Sequence, residues 1–253
     1  MATGRTVSKW VRVYADGYDI SGDSRAIGPL VQTYDESDLT GFSHAVKGAL
    51  PSHATLGIGT LNGVFNTEGV HTSMITPGKR TILVAIGIRA EPAQGDPVYM
   101  GEFEQLGYQT DPSGVYVNIP FGMSSARAAT FAYDKPWGVL LRPAASATTA
   151  VNSSTGVDDY GVATTFGGYM TYQVLAGNGT ATIKVQHAST NSDGSFADLG
   201  GCTSGSINCS TPSAARVVTT ARTTTVNRYI RWQITLGTAT SVTFALGFSR
   251  ALF

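Results

Sequence analysis

Apolar and polar positions in this chain follow one another in short runs of strand length, with hardly any of the wider spacing that a helix requires. Residues 169–175 (YMTYQVL), 180–187 (TATIKVQH), 226–236 (VNRYIRWQITL) and 240–248 (TSVTFALGF) are rich in β-branched and aromatic side chains, and Gly, Asn, Asp and Ser punctuate them. Each run predicts a strand, and together they predict a β-sandwich. Earlier in the chain, residues 10–20 (WVRVYADGYDI) place apolar groups on both sides of Asp16-Gly17, a dipeptide suited to a two-residue hairpin turn. Further strands are expected at 25–32, 54–65, 80–89, 97–110, 115–121 and 137–143, with the turn Asp111-Pro112-Ser113-Gly114 joining 97–110 to 115–121. Residues 68–76 allow one short helix, ended by Pro77-Gly78. The fold class expected is mainly β, as two antiparallel domains of sandwich or barrel type, the first with a short helix and a long loop.

Two stretches interrupt the pattern. Residues 32–53 carry an acidic cluster, Asp35, Glu36 and Asp38, followed by a weakly helical stretch, and a segment of this length between strands reads as an interface arm. Residues 122–135 read as a linker or a short peripheral helix, after which Pro136-Trp137 opens a new strand. The expected division is therefore 1–135 and 136–253, with residues 144–165 as a long surface loop in the second part. No solenoid-like repeat is visible.

Composition narrows the function. Charged residues make up 13% of the chain and hydrophobic residues 42%, so a full core is combined with about half the charge usual for a soluble domain. Much of the outer surface is then expected either to meet other subunits or to be rich in Ser and Thr. The net charge is zero, which provides no basic field to hold a nucleic acid. Residues 1–140 hold ten Lys/Arg against thirteen Asp/Glu, and 141–253 hold seven against four, an asymmetry too small to name a partner. The N-terminal residues lack an apolar core of signal-peptide length, and no apolar stretch approaches the ~20 residues of a membrane helix. Synthesis in a cytoplasm without membrane contact is the expectation, and the triplets at Asn152, Asn178 and Asn208 are then chance matches to a glycosylation site.

Candidate chemistry is sparse. Glu102 and Glu104 lie two apart, so a strand projects both carboxylates from one face; a glycosidase pair would instead flank a sugar from two sides of a cleft. His44, His53, His71 and His187 lack the spacing of a zinc site. Asn191, Asp193 and Asp198 offer oxygens near a turn but not the ligand spacing of a calcium loop. Cys202 and Cys209 could close a small loop as a disulfide, although a reducing compartment opposes it. Tyr169, Tyr172, Tyr229, Trp232, Phe244 and Phe248 either fill a core between sheets or stack on a sugar. No metal, cofactor or enzymatic activity is expected from these residues.

The segments VRVYADGYDISGDSRAIGP, VKGALPSHATLGIGTLNGVF and GDPVYMGEFEQLGYQTDPSGVYVNIPF together resemble the major tail protein, or tail tube subunit, of long-tailed bacteriophages. TIKVQHASTNSDGSFADL and NRYIRWQITLG resemble the β-sandwich modules that phage structural proteins carry behind the tube domain. The resemblance implies a late virion protein, made in the host cytoplasm, that binds copies of itself in rings and stacks, meets other tail proteins and lets DNA pass transiently through its lumen. It implies an arm over about 32–53 that reaches the next ring, with Asp35, Glu36, Asp38, His44 and Lys47 as candidate contacts, and places Glu102, Glu104 and Asp111 as candidates facing the lumen. A capsid decoration protein and a carbohydrate-binding module for host attachment are the rival expectations.

Overall fold

The computed structural model describes residues 8–38, 49–68, 70–88, 90–112, 118–125, 135–210 and 214–252, of which 49–53, 70, 73 and 118–125 are described by their backbone alone. It is mainly β, with 58% strand and 4% helix. The first half holds β1 (Val11–Ala15), β2 (Tyr18–Asp19), β3 (Ser24–Ile27), β4 (Leu30–Asp38), β5 (Ala49–Val64), the single-turn α1 (Val70–Met74), β6 (Gly78–Ile86), β7 (Pro97–Gln105) and β8 (Asn118–Ser125). The second half holds β9 (Trp137–Ala147), β10 (Val151–Asn152), β11 (Val157–Asp158), β12 (Gly168–Gly177), β13 (Thr180–Ala188), β14 (Ala197–Thr203), β15 (Ile207–Asn208), β16 (Ala215–Thr219), β17 (Tyr229–Leu236) and β18 (Val242–Arg250).

The first hairpin forms as its turn residues require. Asp16 and Gly17 both take positive φ, 47° and 84°, between the paired residues Ala15 and Tyr18, the geometry that Asp-Gly adopts at low cost. The Asp16 carboxylate then accepts the Thr81 N–H at 2.8 Å and a bond from Arg80 at 2.9 Å, which ties the turn to β6.

All the strand pairings are antiparallel, in two sheets. One runs in the order β16-β12-β18-β9-β7-β6-β1-β2 and branches at β7 through β8 to β5, which also carries β3 and β4. The other runs β10-β17-β13-β14, with β11 on β17 and β15 on β13. Among the described residues the sheets do not close into a barrel. Pro136 does precede a new strand, but the hydrogen-bonded ladder continues across it, because β9 pairs both with β18 and, at Trp137 to Val139, with β7.

Three apolar layers follow from alternation along these strands. On β6, Ile82 and Val84 face a core in the first half, while Leu83 and Ala85 face a second core on the opposite side. On β7, Tyr99 and Phe103 join the former and Val98 and Met100 the latter. That second core is shared with the other half of the chain through Leu140 of β9, Tyr169 of β12 and Ala245 of β18. The opposite faces of β12 and β18, with Tyr172, Val174, Phe244 and Phe248, form a third core against Ile183, Val185 and Trp232 of the other sheet. Both faces of β6 and β7 are therefore buried, the reason that Ile82-Leu83-Val84-Ala85 reads as an unbroken apolar run instead of an alternating one.

Several segments depart from expectation: β7 ends at Gln105, short of the strand expected to residue 110, and the expected loop 144–165 carries the end of β9 and the short strands β10 and β11. Residues 32–38 and 49–53, read as an irregular arm, are strand, because β4 and β5 pair from Leu30↔Ile58 out to Asp38↔Ala49. Residues 122–125, read as the start of a linker, extend β8, and the rest of that linker, 126–134, lies outside the described residues. The expected short helix is present as α1.

The shared core is closely packed. A Cβ added to Gly247 would lie 2.7 Å from the Met100 sulfur and 3.0 Å from a Val98 methyl. The methionine can turn away, but the β-branched valine on a fully paired strand cannot. Gly247→Val is expected to cost about 1–3 kcal/mol, read as a lower midpoint in urea denaturation. An unchanged midpoint would mean that the two halves do not press together at this point.

Candidate assembly surface

The longest ladder of the first half is β4 against β5. β8 pairs β5 between Gly57 and Val64, and β3 pairs it between Leu61 and Gly63. From Leu56 outward to Ala49, β5 has β4 alone as its partner among the described residues. At ~3.3 Å per residue this leaves roughly 25 Å of two-stranded ribbon beyond the sheet. A free two-stranded ribbon is marginally stable in water, and β4 becomes exposed from Thr33 onward.

The root of the ribbon is held by Tyr99. Its hydroxyl accepts the Gly57 N–H at 3.1 Å and lies 2.6 Å from the Val31 carbonyl and 2.7 Å from the Gly57 carbonyl, so it joins both ribbon strands to β7. Burial pushes the Tyr99 phenol up to about 12, partly opposed by the bond to Gly57, which keeps the hydroxyl a donor at neutral pH. Sequence reading took this tyrosine as a strand residue with no role, and its place in the apolar run Val98-Tyr99-Met100 was the only sign of it.

Asp35, Glu36 and Asp38 all lie on the exposed outer part of β4. Each has a contact within its own chain. His44 and Lys47 fall outside the described residues. Tyr34, 38% exposed, accompanies the acids and accepts a bond from the Gln32 amide at 2.8 Å.

Glu102 and Glu104 do share one face of β7, but that face is not an exposed one. It is the face on which Val98 and Met100 pack into the shared core, and the two carboxylates continue it half-buried. The Glu102 side chain is 21% exposed and lies 3.7 Å from the Lys79 ammonium, and Glu104 stands opposite Lys79 in the β6–β7 register. Asp111 is exposed and separate from them, six residues beyond the end of β7.

A second exposed region is fixed by a buried ion pair. Arg250, with its side chain 1% exposed, directs Nε and Nη2 at the Asp159 carboxylate, itself 8% exposed, at 2.7–3.1 Å. The same guanidinium donates to the Val226 carbonyl at 2.6 Å, the Asn227 carbonyl at 2.8 Å and the Thr164 hydroxyl at 3.3 Å. With its donors occupied, the fork pins the 159–164 loop, on which Tyr160 and Val162 stand 48% and 58% exposed, with Phe166, 42% exposed, just beyond it. His187 lies half-buried beside this knot. Its Nδ1 accepts the Asn227 N–H at 3.1 Å, and burial first, then Arg250, holds its pKa below the usual histidine value.

The remaining candidates are accounted for locally. Cys202 and Cys209 are free, buried thiols of the third core, not a disulfide; burial pushes the Cys202 thiol up to about 12. Tyr169, Tyr172, Trp232, Phe244 and Phe248 are buried and Tyr229 is half-buried, so the rings fill the cores. Asp193 pairs with Arg231, and Asp198 pairs with Lys184 and accepts from Gln186. Among the described residues no group of His, Cys, Asp or Glu is arranged to hold a metal ion, and no helix is long and apolar enough to cross a membrane.

No family model matches this chain, and no curated protein does. Among solved structures the chain overlays on SPP1 Dit (gp 19.1), described as a paradigm of the hub adsorption apparatus in phages infecting Gram-positive bacteria. The TM-score is 0.33 and the identity 11%, over 95% of this chain and 99% of that one. At that score the likeness carries no argument.

The buried ion pair yields a direct expectation. Asp159→Asn leaves the Arg250 charge buried without its counter-charge, at a cost of about 3–5 kcal/mol. Amide exchange across 159–167 should quicken in the variant while β6 and β7 keep their protection. Equal exchange in variant and wild type would show that the ion pair does not hold this loop.

Proposed function

We propose that this chain is a structural subunit of a phage tail, joining copies of itself through the β4–β5 ribbon. The observation that carries the proposal is the ribbon, a paired extension that no further strand covers among the described residues, rooted on a buried tyrosine. Such an extension gains its stability from a surface outside its own fold. The low charged fraction, 13%, agrees with a subunit whose surface is largely covered in an assembly. The sequence resemblance to tail tube subunits supplies the particular assembly: stacked rings in the virion, around a channel through which DNA passes, in contact with other tail proteins.

A building role in place of catalysis is part of the same proposal, since its candidate acids are engaged: Glu102 with Lys79, Asp193 with Arg231 and Asp198 with Lys184. A sugar-binding reading loses most of the clustered rings of the second half, because Tyr169, Tyr172, Trp232, Phe244 and Phe248 point into cores, and keeps the exposed rings of Tyr160 and Phe166 as its stacking candidates. A decoration protein of the capsid remains as the second reading, favoured by the same low charge, and it differs in forming discrete small oligomers.

Electron microscopy of the concentrated protein separates these readings, with rings or hollow rods expected. Deletion of residues 35–51 should leave a folded monomer by circular dichroism and sedimentation. A wild-type protein that stays monomeric at every concentration removes the assembly proposal.

If Glu102 and Glu104 border the channel, their role is to repel a passing polyanion. Glutamine is the cleaner substitution, because a lysine at 104 would face Lys79 directly across the ladder. Particles carrying Glu102→Gln with Glu104→Gln are expected to build normal tails and to deliver DNA more slowly, as timed by intracellular DNA arrival. Unchanged delivery assigns these residues no part in passage.

A further inference from the structure

The first-half core has an open side. Between Val11 and Val13, β1 has no strand on the edge away from β6, and β3 has none on the edge away from β5, among the described residues. The gap between those two edges is a groove of about 420 Å³. Its floor is apolar, with Val11, Val84, Ile27 and Leu30, and its rim carries Lys9, Arg12 and Arg25. One end is already closed by the chain itself, where the Val13 N–H donates to the Ser21 hydroxyl at 2.8 Å and the Ile20 N–H to the Val13 carbonyl at 3.0 Å. What remains is a slot between strand edges, with a greasy floor and a cationic margin.

Its complement is present on the same molecule. The outer part of β4 offers an exposed aromatic ring, Tyr34, beside three acids, Asp35, Glu36 and Asp38, on an extended strand whose outer edge no other strand covers among the described residues. The groove lines up three cations and the ribbon three acids. From this we infer that the β1–β3 groove receives the outer β4 segment of a second copy of this chain, with Tyr34 over the apolar floor and the acids along the Lys9–Arg25 rim. The acids and Arg25 have contacts within their own chain, and Arg12 pairs with Glu91. The pairing therefore rests on opposite fields and on matching extended shapes, not on bare charges. Ribbon and groove are different surfaces, so the contact is heterologous and propagates from copy to copy, closing a ring or continuing a stack according to the rotation between neighbours.

This inference rests on the self-assembly proposed above and names where the ribbon goes. It is tested with two charge-reversed proteins, Lys9→Glu with Arg25→Glu in the groove, and Glu36→Lys with Asp38→Lys on the ribbon. Folding is checked by circular dichroism and thermal melting, and Lys9→Gln with Arg25→Gln stands in if the reversed groove misfolds. Each reversed protein alone is expected to need about tenfold or more concentration to assemble, by sedimentation, since like charges then meet at the contact. Mixing the two should restore assembly, because each ribbon again meets a groove of opposite sign, and assembly of the wild type should weaken from 0.1 to 1 M salt. A groove-reversed protein that assembles like wild type, or a mixture that stays apart, overturns the groove assignment alone when deletion of the ribbon still abolishes assembly. A wild-type protein that never assembles overturns this inference together with the proposal beneath it.

Discussion

The constraint on which the rest of this molecule depends is that β6 and β7 are buried on both faces. A strand with one solvated face can shift or fray without disturbing what lies beyond it; a strand buried on two faces fixes the register of two layers at once. Here the second face meets β12 and β18 at a separation that leaves no room for a side chain at Gly247. Polar groups inside that interface are correspondingly exact in their pairing. Gln173, fully buried, accepts the Gly17 N–H and donates to the Thr81 carbonyl, both at 2.7 Å, so one side chain from the second half holds the first hairpin turn and β6 together. The Tyr169 hydroxyl lies 3.1 Å from the Met100 carbonyl and 2.9 Å from that of Lys135. Among the described residues Thr171 and Glu102 are exceptions, the buried Thr171 hydroxyl and the Glu102 Oε2 having no hydrogen-bond partner. Because Tyr99 belongs to β7, the direction of the ribbon is inherited from this doubly buried layer.

Charge is used sparingly and much of it is used inside. Arg250 and Arg231 are almost fully buried and meet Asp159 and Asp193, and Arg80 joins Asp16 to Gln105. Arg142 is held differently, against the edge-to-face rings of Trp232 and Phe244 at 4.1 and 4.6 Å, with its Nη2 on the carbonyls of Ala145 and Ser146. Burial lowers its pKa, yet a guanidinium keeps its charge in such a site, and the ring faces offset part of the lost hydration. In a chain with 13% charged residues, each arginine withdrawn into the interior leaves less charge for the surface. A surface so poor in charge is costly for a free monomer in solubility and suits one that is covered by neighbours.

The strands themselves were legible because β-branched and aromatic runs between turn residues admit few other structures, and Asp16-Gly17 named its own turn type. Which faces meet was not legible. Periodicity tells that Leu83 and Val84 point to opposite sides, but not that Leu83 packs on residues more than a hundred and fifty positions later, such as Ala245. The continuous run Ile82 to Ala85 was the one available sign, since a strand with a solvated face would have alternated. The ribbon was misread for a related reason. Asp and Glu are poor strand formers when a face must be buried, and Asp35, Glu36 and Asp38 therefore looked like a break; on a ribbon with both faces in water nothing opposes them, and charge on an edge strand deters indiscriminate pairing. Arg250 gave no signal at all, a single charge at the end of an apolar strand whose partner lies ninety-one residues earlier.

On the proposed self-assembly, the rigid root and the outer length of the ribbon divide the cost of association. A flexible arm would have to be ordered at the moment of contact, at the expense of affinity. The hydroxyl of Tyr99, fixed against Val31 and Gly57, sets the departure angle in advance, so what remains to be ordered is the outer, exposed part of β4. The 159–164 loop shows the same economy, with Tyr160 and Val162 held out in water by a guanidinium that has no freedom left. Apolar side chains fixed in place before contact lose little entropy when covered. On the proposed self-assembly, much of the geometry of the contact is already contained in the fold of each copy, and opposite charge on ribbon and groove adds to it.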